Sequence, residues 1–103
     1  MDISKMMKQV QKLQGDIMRL QEELAGRTVE ATAGGGMVRA VANGRQELVA
    51  LEIKPEAIDP EDIEMLQDMV LAAVNESLRQ SREMVAREMG RLTGGLGIPP
   101  GLF

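Results

Sequence analysis

Chemistry in this chain would have to come from hydroxyl, amine and carboxylate groups, because its 103 residues include neither cysteine nor histidine. That composition removes thiolate and imidazole catalysis, disulfides and nearly every zinc site. A nucleophile would then be Ser, Thr or Lys, yet Ser4, Ser77 and Ser81 lie in segments of helical periodicity without a nucleophile turn. The sequence therefore predicts no catalytic residue, no metal site, no cofactor and no small-molecule substrate.

The triple glycine at 34–36 is the one glycine-rich stretch that invites comparison with a phosphate-binding loop. It lacks the Lys-Ser/Thr pair that follows such a loop, and it precedes a strand pattern instead of a helix. We predict a β-turn whose backbone takes positive φ angles.

Basic side chains remain as candidates, through contacts with a polyanion. Four cations of the first predicted helix fall within about 60° of one another on a helical projection, roughly opposite its apolar residues; they are Lys5, Lys8, Lys12 and Arg19. Four more lie away from the centre of the apolar face of a second predicted helix, namely Arg79, Arg82, Arg87 and Arg91. From charge pattern alone, an ordinary solvated helix surface explains both groups.

The net charge of −4 weighs against a polyanion partner. The distribution of charge along the chain matters more. Acidic residues concentrate in the middle of the chain, where residues 28–65 contain three basic and eight acidic groups. Each end is nearly neutral. Spacing also predicts surface pairs of Lys12 with Asp16 and of Arg19 with Glu23, each four residues apart.

The cations of the first group lie on a segment that predicts a helix over residues 3–25. Its apolar residues alternate steps of three and four, which is a heptad pattern, and we call them the heptad seam: Ile3, Met6, Val10, Leu13, Ile17, Leu20 and Leu24. Asp2 is placed to cap this helix, and Gly26 to end it. The seam fits either an intermolecular coiled coil or packing against the second helix of the same chain.

Residues 28–53 change to the period-two pattern of a sheet. Three strands are predicted, at 28–33, 37–42 and 46–53, joined by the glycine turn and by a two-residue turn at Asn43-Gly44. Strict alternation would put Val49, Leu51 and Ile53 on one face of the third strand, and Leu48 and Ala50 on the other. Helices of one chain cover a single face, so a second copy is expected at this strand, with an interface of Leu48, Val49, Ala50 and Leu51.

The second helix is predicted over residues 60–92, with Asp59 as its cap and Pro60 at its first position. Residues 94–103 have the Gly- and Pro-rich composition of a flexible tail. The result is one α+β domain over 1–93: helix, three-stranded antiparallel meander, long helix. The start is charged and amphipathic, and no apolar run approaches the roughly 18 residues of a membrane span, which predicts a cytoplasmic protein without a membrane partner.

Several short motifs follow one another along nearly the whole chain: Met6-Met7-Lys8-Gln9, Gly34-x-Gly36-x-Val38, Asn43-Gly44, Leu51-x-Ile53-x-Pro55, Leu66-x-Asp68-x-Val70, Ala72-Ala73-x-Asn75, Met89-Gly90 and the stretch 94–103. In this order they resemble the YbaB/EbfC family of bacterial nucleoid-associated proteins.

The resemblance implies a tweezer-like homodimer, with sheets associated at the centre and paired long helices projecting as arms. It also implies binding to double-stranded DNA, a place in the nucleoid and an influence on gene expression. The arms would be residues 3–25 and 66–92. The DNA-binding candidates that the resemblance implies are then the cations of these arms: Lys5, Lys8, Lys12, Arg79, Arg82, Arg87 and Arg91. The charge stripe of the first helix adds Arg19. The alternative is an adaptor that docks onto a replication or recombination protein through its free helix ends and tail.

Overall fold

A computed structural model describes residues 2–94 and contains the predicted order of elements. These are α1 (Ile3–Gly26), β1 (Thr28–Ala33), β2 (Val38–Asn43), β3 (Leu48–Ile53), a single 3-10 turn (Pro55–Ala57) and α2 (Ile63–Gly94). The strands form one antiparallel sheet in the order β1-β2-β3. The α+β prediction is confirmed.

Helix α1 begins as predicted at the Asp2 cap, whose side chain accepts a hydrogen bond from the Ser4 backbone N–H at 3.0 Å. It ends one residue later than predicted, at Gly26, where the Arg27 N–H donates to the Leu24 carbonyl. The cap satisfies a backbone donor that the first turn would leave unpaired.

The core lies between α2 and one face of the sheet. Val38 and Ala40 of β2 and Ala73 of α2 are all 0% exposed and form one cluster, with Leu66, Met69, Val70 and Val74 packed against it. Small side chains on both sides allow the helix backbone to approach the sheet closely. Helix α2 covers β1 and β2 along their length but barely reaches β3.

A bulge changes the predicted faces of β3. Val41 pairs with Ala50 and Ala42 pairs with Leu48, so Val49 is the extra residue. Partners across a ladder share a face, which puts Leu48 beside Leu51 and Ile53 on the α2 side. The expected alternation, with Leu48 opposite to Leu51, was therefore wrong.

Both turns of the sheet depend on residues with positive φ. The glycine turn is confirmed: Gly34, Gly35 and Gly36 have φ of +63°, +67° and +93°. The predicted two-residue turn at Asn43-Gly44 was wrong, because Asn43 still pairs in β2 and its N–H donates to the Glu47 carbonyl. The loop between β2 and β3 contains four residues, with Gln46 at φ +64°.

Helix α2 begins later than predicted. The Asp59 side chain accepts from the Glu61 N–H and organises a turn, while the Asp62 side chain accepts from the Met65 N–H and caps the helix at Ile63. Gly94 is still helical. Nearly all of the predicted 94–103 tail lies outside the described residues.

The molecule is elongated, with extents of 71 × 21 × 16 Å. The C-terminal part of α2 continues past the sheet and packs antiparallel on the C-terminal half of α1. Glu88, Arg91 and Leu92 there share a groove with Asp16, Arg19 and Leu20. The heptad seam therefore packs within the chain at this end.

Candidate nucleic-acid interface

The first thirteen residues of α1, 3–15, contain three lysines and no acidic residue. Lys5, Lys8 and Lys12 are exposed, and no carboxylate of the described residues lies within 4.0 Å of their amines. We call these three residues the lysine stripe. Asp2 caps the start of α1, and the regular geometry of the helix places the three lysines on one side of it. An unpaired ammonium group at the surface is available to a phosphate.

The predicted surface pairs of α1 were wrong in their partners. Asp16 pairs with Arg19 at 3.3 Å, so Lys12 lacks the partner that its spacing suggested. Positions three and four apart are both neighbours on a helix, and one carboxylate served two possible cations. Of the four α1 candidates, Arg19 is therefore the one whose charge is paired with a carboxylate of the described chain.

Arg79 on α2 is held by two carboxylates. Its guanidinium forms ion pairs with Glu76 and Glu83 on the same helix face. The hydrogen bond from Arg79 is the main reason that the pKa of Glu76 falls from 4.5 to about 2, with a smaller contribution from Gln80. The same ion pairs raise the pKa of Arg79. This cation is largely neutralised where it stands.

The other α2 candidates do not form a single positive face. Arg82 and Arg87 lie about 140° apart on the helical projection, and neither has a carboxylate partner within 4.0 Å among residues 2–94. Arg91 pairs with Glu88 at 3.3 Å, and that carboxylate also faces Arg27 at 3.7 Å. The predicted α2 set therefore consists of two paired and two unpaired cations in the described chain, and the two unpaired ones do not share a face.

Arg27 and Glu88 were missed by sequence reasoning. Their ion pair joins the end of α1 to α2 across 61 positions of sequence. No local spacing predicts a contact of that range. Arg45, in the loop between β2 and β3, is a further exposed cation that the sequence reasoning did not select.

The loop between β2 and β3 fixes the direction of both helices. The Gly44 N–H donates to the Leu24 carbonyl at 3.0 Å, and a Cβ at Gly44 would overlap that carbonyl. On the other side, the buried Ser81 hydroxyl of α2 donates to the Asn43 carbonyl at 2.5 Å. The loop thus ties the end of α1 and the middle of α2 to the sheet, and both helices project from this junction.

The residues predicted for a dimer interface are accessible in the single chain. Leu48, Val49 and Leu51 are 40%, 52% and 42% exposed, and Ala50 is half-buried. Ile53, 37% exposed, extends the same apolar surface. We call Leu48, Leu51 and Ile53 the β3 strip, since they lie together on the α2 side of the sheet, at the edge strand that α2 barely reaches.

The opposite face of the sheet contains a cross-strand ion network. Arg39 lies between Glu30 of β1 and Glu52 of β3 and pairs with both. Its pKa is raised, chiefly by the hydrogen bond with Glu30. This cross-strand ion network makes that face suited to solvent.

No group of three acidic, histidine or cysteine side chains that could hold a metal ion occurs within residues 2–94. In the same part of the chain, no helix combines the length and apolar character needed to cross a membrane.

A profile of the YbaB/EbfC DNA-binding family matches residues 1–96. The chain belongs to this family. Among curated relatives, a nucleoid-associated protein of Pelotomaculum thermopropionicum is 70% identical over 99% of this chain and 96% of its own length. A nucleoid-associated protein of Desulforamulus reducens is 65% identical with the same coverage.

The fold is also similar to a solved structure. The crystal structure of an uncharacterized protein from Helicobacter pylori is 28% identical, covers 72% of this chain and 86% of its own, and has a TM-score of 0.61. The resemblance to the YbaB/EbfC family inferred from the motifs is confirmed by the family match and the relatives.

Proposed function

We propose that this YbaB/EbfC protein binds double-stranded DNA as a homodimer, mainly through phosphate contacts of the lysine stripe. One observation carries the proposal: three unpaired lysines occupy an acid-free segment of a chain whose net charge is −4. All sixteen acidic residues except Asp2 lie beyond Gly15. A polyanion would therefore meet the N-terminal part of α1 first, and the rest of the surface would repel it.

Phosphate contacts suit this set of side chains better than base contacts do. A lysine amine acts as a point charge on a flexible stem, without the planar fork that reads a guanine edge. Each phosphate contact releases condensed counterions and adds affinity without sequence information. We therefore infer weak sequence preference and strong dependence on salt.

A second copy is the proposed cover of the β3 strip. Its three large aliphatic side chains belong to an edge strand, and soluble monomers seldom leave such a surface exposed to water. Pairing of two copies through β3 would leave the four helices projecting in two pairs, with a lysine stripe on each pair. Six lysines would then be available to one duplex.

The cellular role follows from that mode of binding. The two relatives described above are named nucleoid-associated proteins. We propose the same association here, in the cytoplasm, with an influence on gene expression that arises from occupancy of many weak sites along the chromosome. Enzymatic turnover has no part in the proposal.

The test is a titration of duplex DNA at several salt concentrations with the Lys5→Ala/Lys8→Ala/Lys12→Ala variant. Each phosphate contact contributes about −0.9 to the slope of log Kobs against log salt, so loss of six lysines per dimer should flatten the slope by up to about 5. Affinity at low salt should fall by at least about tenfold on the same grounds.

Lys54→Ala is the matched control for Lys8→Ala. Both remove one exposed lysine that no carboxylate of the described chain pairs, but Lys54 follows β3 and lies outside the arm. Lys8→Ala should weaken binding, whereas Lys54→Ala should leave it close to the parent. Equal losses from the two variants, or an unchanged salt slope in the triple variant, would remove the lysine stripe from the mechanism.

A further inference from the structure

The heptad seam is covered only where α2 runs beside it. Leu24 is 1% exposed, and Leu20, Ile17 and Leu13 are half-buried. Beyond them the exposure of the seam rises abruptly, to 53% at Val10, 48% at Met6 and 72% at Ile3. We call these last three residues the open seam.

The open seam begins where the described part of α2 ends. Ile17 of α1 and Thr93 of α2 line the same groove, and α2 is described to Gly94. Because the two helices run antiparallel, α2 at Gly94 points toward the N-terminal end of α1. The last described turn of α2 therefore ends at the start of an uncovered apolar surface, and residues 95–103 follow it in the sequence.

We propose that residues 95–103 of the same chain cover the open seam. The segment contains no charged residue and supplies four apolar side chains: Leu96, Ile98, Leu102 and Phe103. If this segment lies on the open seam, apolar surface of both the segment and α1 is removed from water, and no charged side chain is desolvated.

Length agrees with cover by the same chain. From Ile17 to Ile3 the α1 axis advances about 21 Å, at 1.5 Å per residue. Eight residues in an extended or polyproline-type conformation, which Pro99 and Pro100 favour, span about 25 Å. The segment therefore reaches the last residue of the open seam with little slack.

The lysine stripe stays free in this arrangement. On the helical projection its members lie roughly opposite to the open seam, so a segment seated on the seam does not compete with phosphate. An isolated helical end of this length is marginal in water. Cover by residues 95–103 would hold the arm helical and keep the lysines on one side.

The absence of cysteine from the chain permits a direct test by disulfide formation. In the full-length double variant Val10→Cys/Ile98→Cys, the introduced thiols are the only ones present. Val10 lies about 10 Å along α1 from Ile17, and Ile98 would lie about 12 Å past Gly94 in the proposed conformation. Mild oxidation should yield mostly a disulfide within one chain, which migrates as a monomer on a non-reducing denaturing gel. The pair Lys8→Cys/Ile98→Cys is the control, since position 8 lies at nearly the same level on the far side of the helix. Its yield should be several-fold lower because Cα atoms more than about 7 Å apart do not bridge.

Hydrogen exchange of residues 3–12 gives a second measurement that needs no thiols. Removal of residues 95–103 should speed exchange there by about tenfold while α2 residues 66–84 keep the parent rate, as expected for a loss of local order. Equal exchange with and without the segment, equal disulfide yields in the two pairs, or disulfides that join two chains would each overturn cover by the same chain. The last result would assign the open seam to a second copy. None of these readouts depends on DNA binding, so the proposal stands or falls separately from the proposed function.

Discussion

At the scale of single residues, ion-pair geometry divides the cations of the described chain into paired and unpaired ones. Lys5, Lys8 and Lys12 have no carboxylate partner in the described chain, whereas Arg79 has two. A paired cation releases few counterions on meeting DNA, since its own carboxylates already screen it. The position of a basic residue on an arm is therefore insufficient to make it a DNA contact.

The Glu76–Arg79 pair predicts a pH dependence of stability. The folded pKa of Glu76 is lowered from 4.5 to about 2, so its stabilising contribution is complete above pH 4.5 and disappears as pH falls through about 2. The unfolding free energy of the parent should therefore approach that of Glu76→Gln as pH falls across this window. Denaturant unfolding at a series of pH values measures the convergence.

Glu22→Gln provides the comparison for that experiment. Glu22 is exposed on α1, and no Lys or Arg of the described chain lies within 4.0 Å of its carboxylate. Its difference from the parent should change little over the same pH range. A constant gap between the parent and Glu76→Gln from pH 5 to pH 2 would show that the ion pair contributes nothing to stability.

Gly44 is the residue on which the junction of helix and sheet depends. A Cβ there would overlap the Leu24 carbonyl, which is backbone that accepts a hydrogen bond from the Gly44 N–H and cannot swing aside as a flexible side chain can. Gly44→Ala should destabilise the fold by about 1–3 kcal/mol, the range for overpacking of a well-packed site. Thermal or urea unfolding of the purified variant measures the change.

Gly15→Ala is the opposite case in the same chain. A Cβ at Gly15 meets nothing within 4 Å, and the residue lies inside α1. Replacement should stabilise by about 0.5–1 kcal/mol, because glycine loses more backbone entropy than alanine in a helix. A Gly44→Ala variant as stable as the parent would contradict the close approach of the loop to α1.

At the scale of secondary-structure elements, β3 is the least covered part of the sheet. Helix α2 protects β1 and β2, and the β3 strip stays between 37% and 42% exposed. The bulge at Val49 produces this strip, because it moves Leu48 to the face of Leu51 and Ile53. An edge strand of this composition calls for a partner.

Leu51→Asp tests that partner directly. Two copies of the variant would bury an unpaired carboxylate each, which costs at least about 3 kcal/mol in total and raises the dimer dissociation constant by at least about 100-fold. Sedimentation equilibrium over a range of protein concentrations measures the shift to monomer.

Met18→Asp is the control for the dimer experiment. Met18 is 63% exposed on α1, so the same change in charge and polarity occurs away from the sheet. It should leave the association constant near that of the parent. Dimers of Leu51→Asp with undiminished affinity would move the interface away from β3.

At the scale of the whole molecule, shape and charge act together. The radius of gyration is 19.4 Å, compared with about 13 Å for a compact domain of this size. The excess comes from α1 and the C-terminal part of α2, which extend beyond the sheet. Elongation moves the lysine stripe away from the acidic middle of the chain, so that a molecule of net charge −4 presents a positive surface at its N-terminal end.

Local patterns in the sequence determined the elements and their order. Steps of three and four residues identified α1, period-two alternation identified the strands, and glycines at 34–36 identified a turn with positive φ. The angular position of Lys5, Lys8 and Lys12 also followed from sequence, since a regular helix fixes it. These properties depend on neighbours within a few positions.

Only the tertiary structure decided which of those features are available for function. In the structure Asp16 pairs with Arg19, so Lys12 has no carboxylate partner in the described chain. A bulge places Leu48 on the face of Leu51. The cover of the heptad seam by α2 ends near Leu13. Each outcome is a choice among alternatives that local sequence allows equally. Contacts between residues far apart in the chain settle the register of β3 and the extent of the cover. The Asp16–Arg19 pair is a choice between helix neighbours three and four positions away, which spacing alone allows equally.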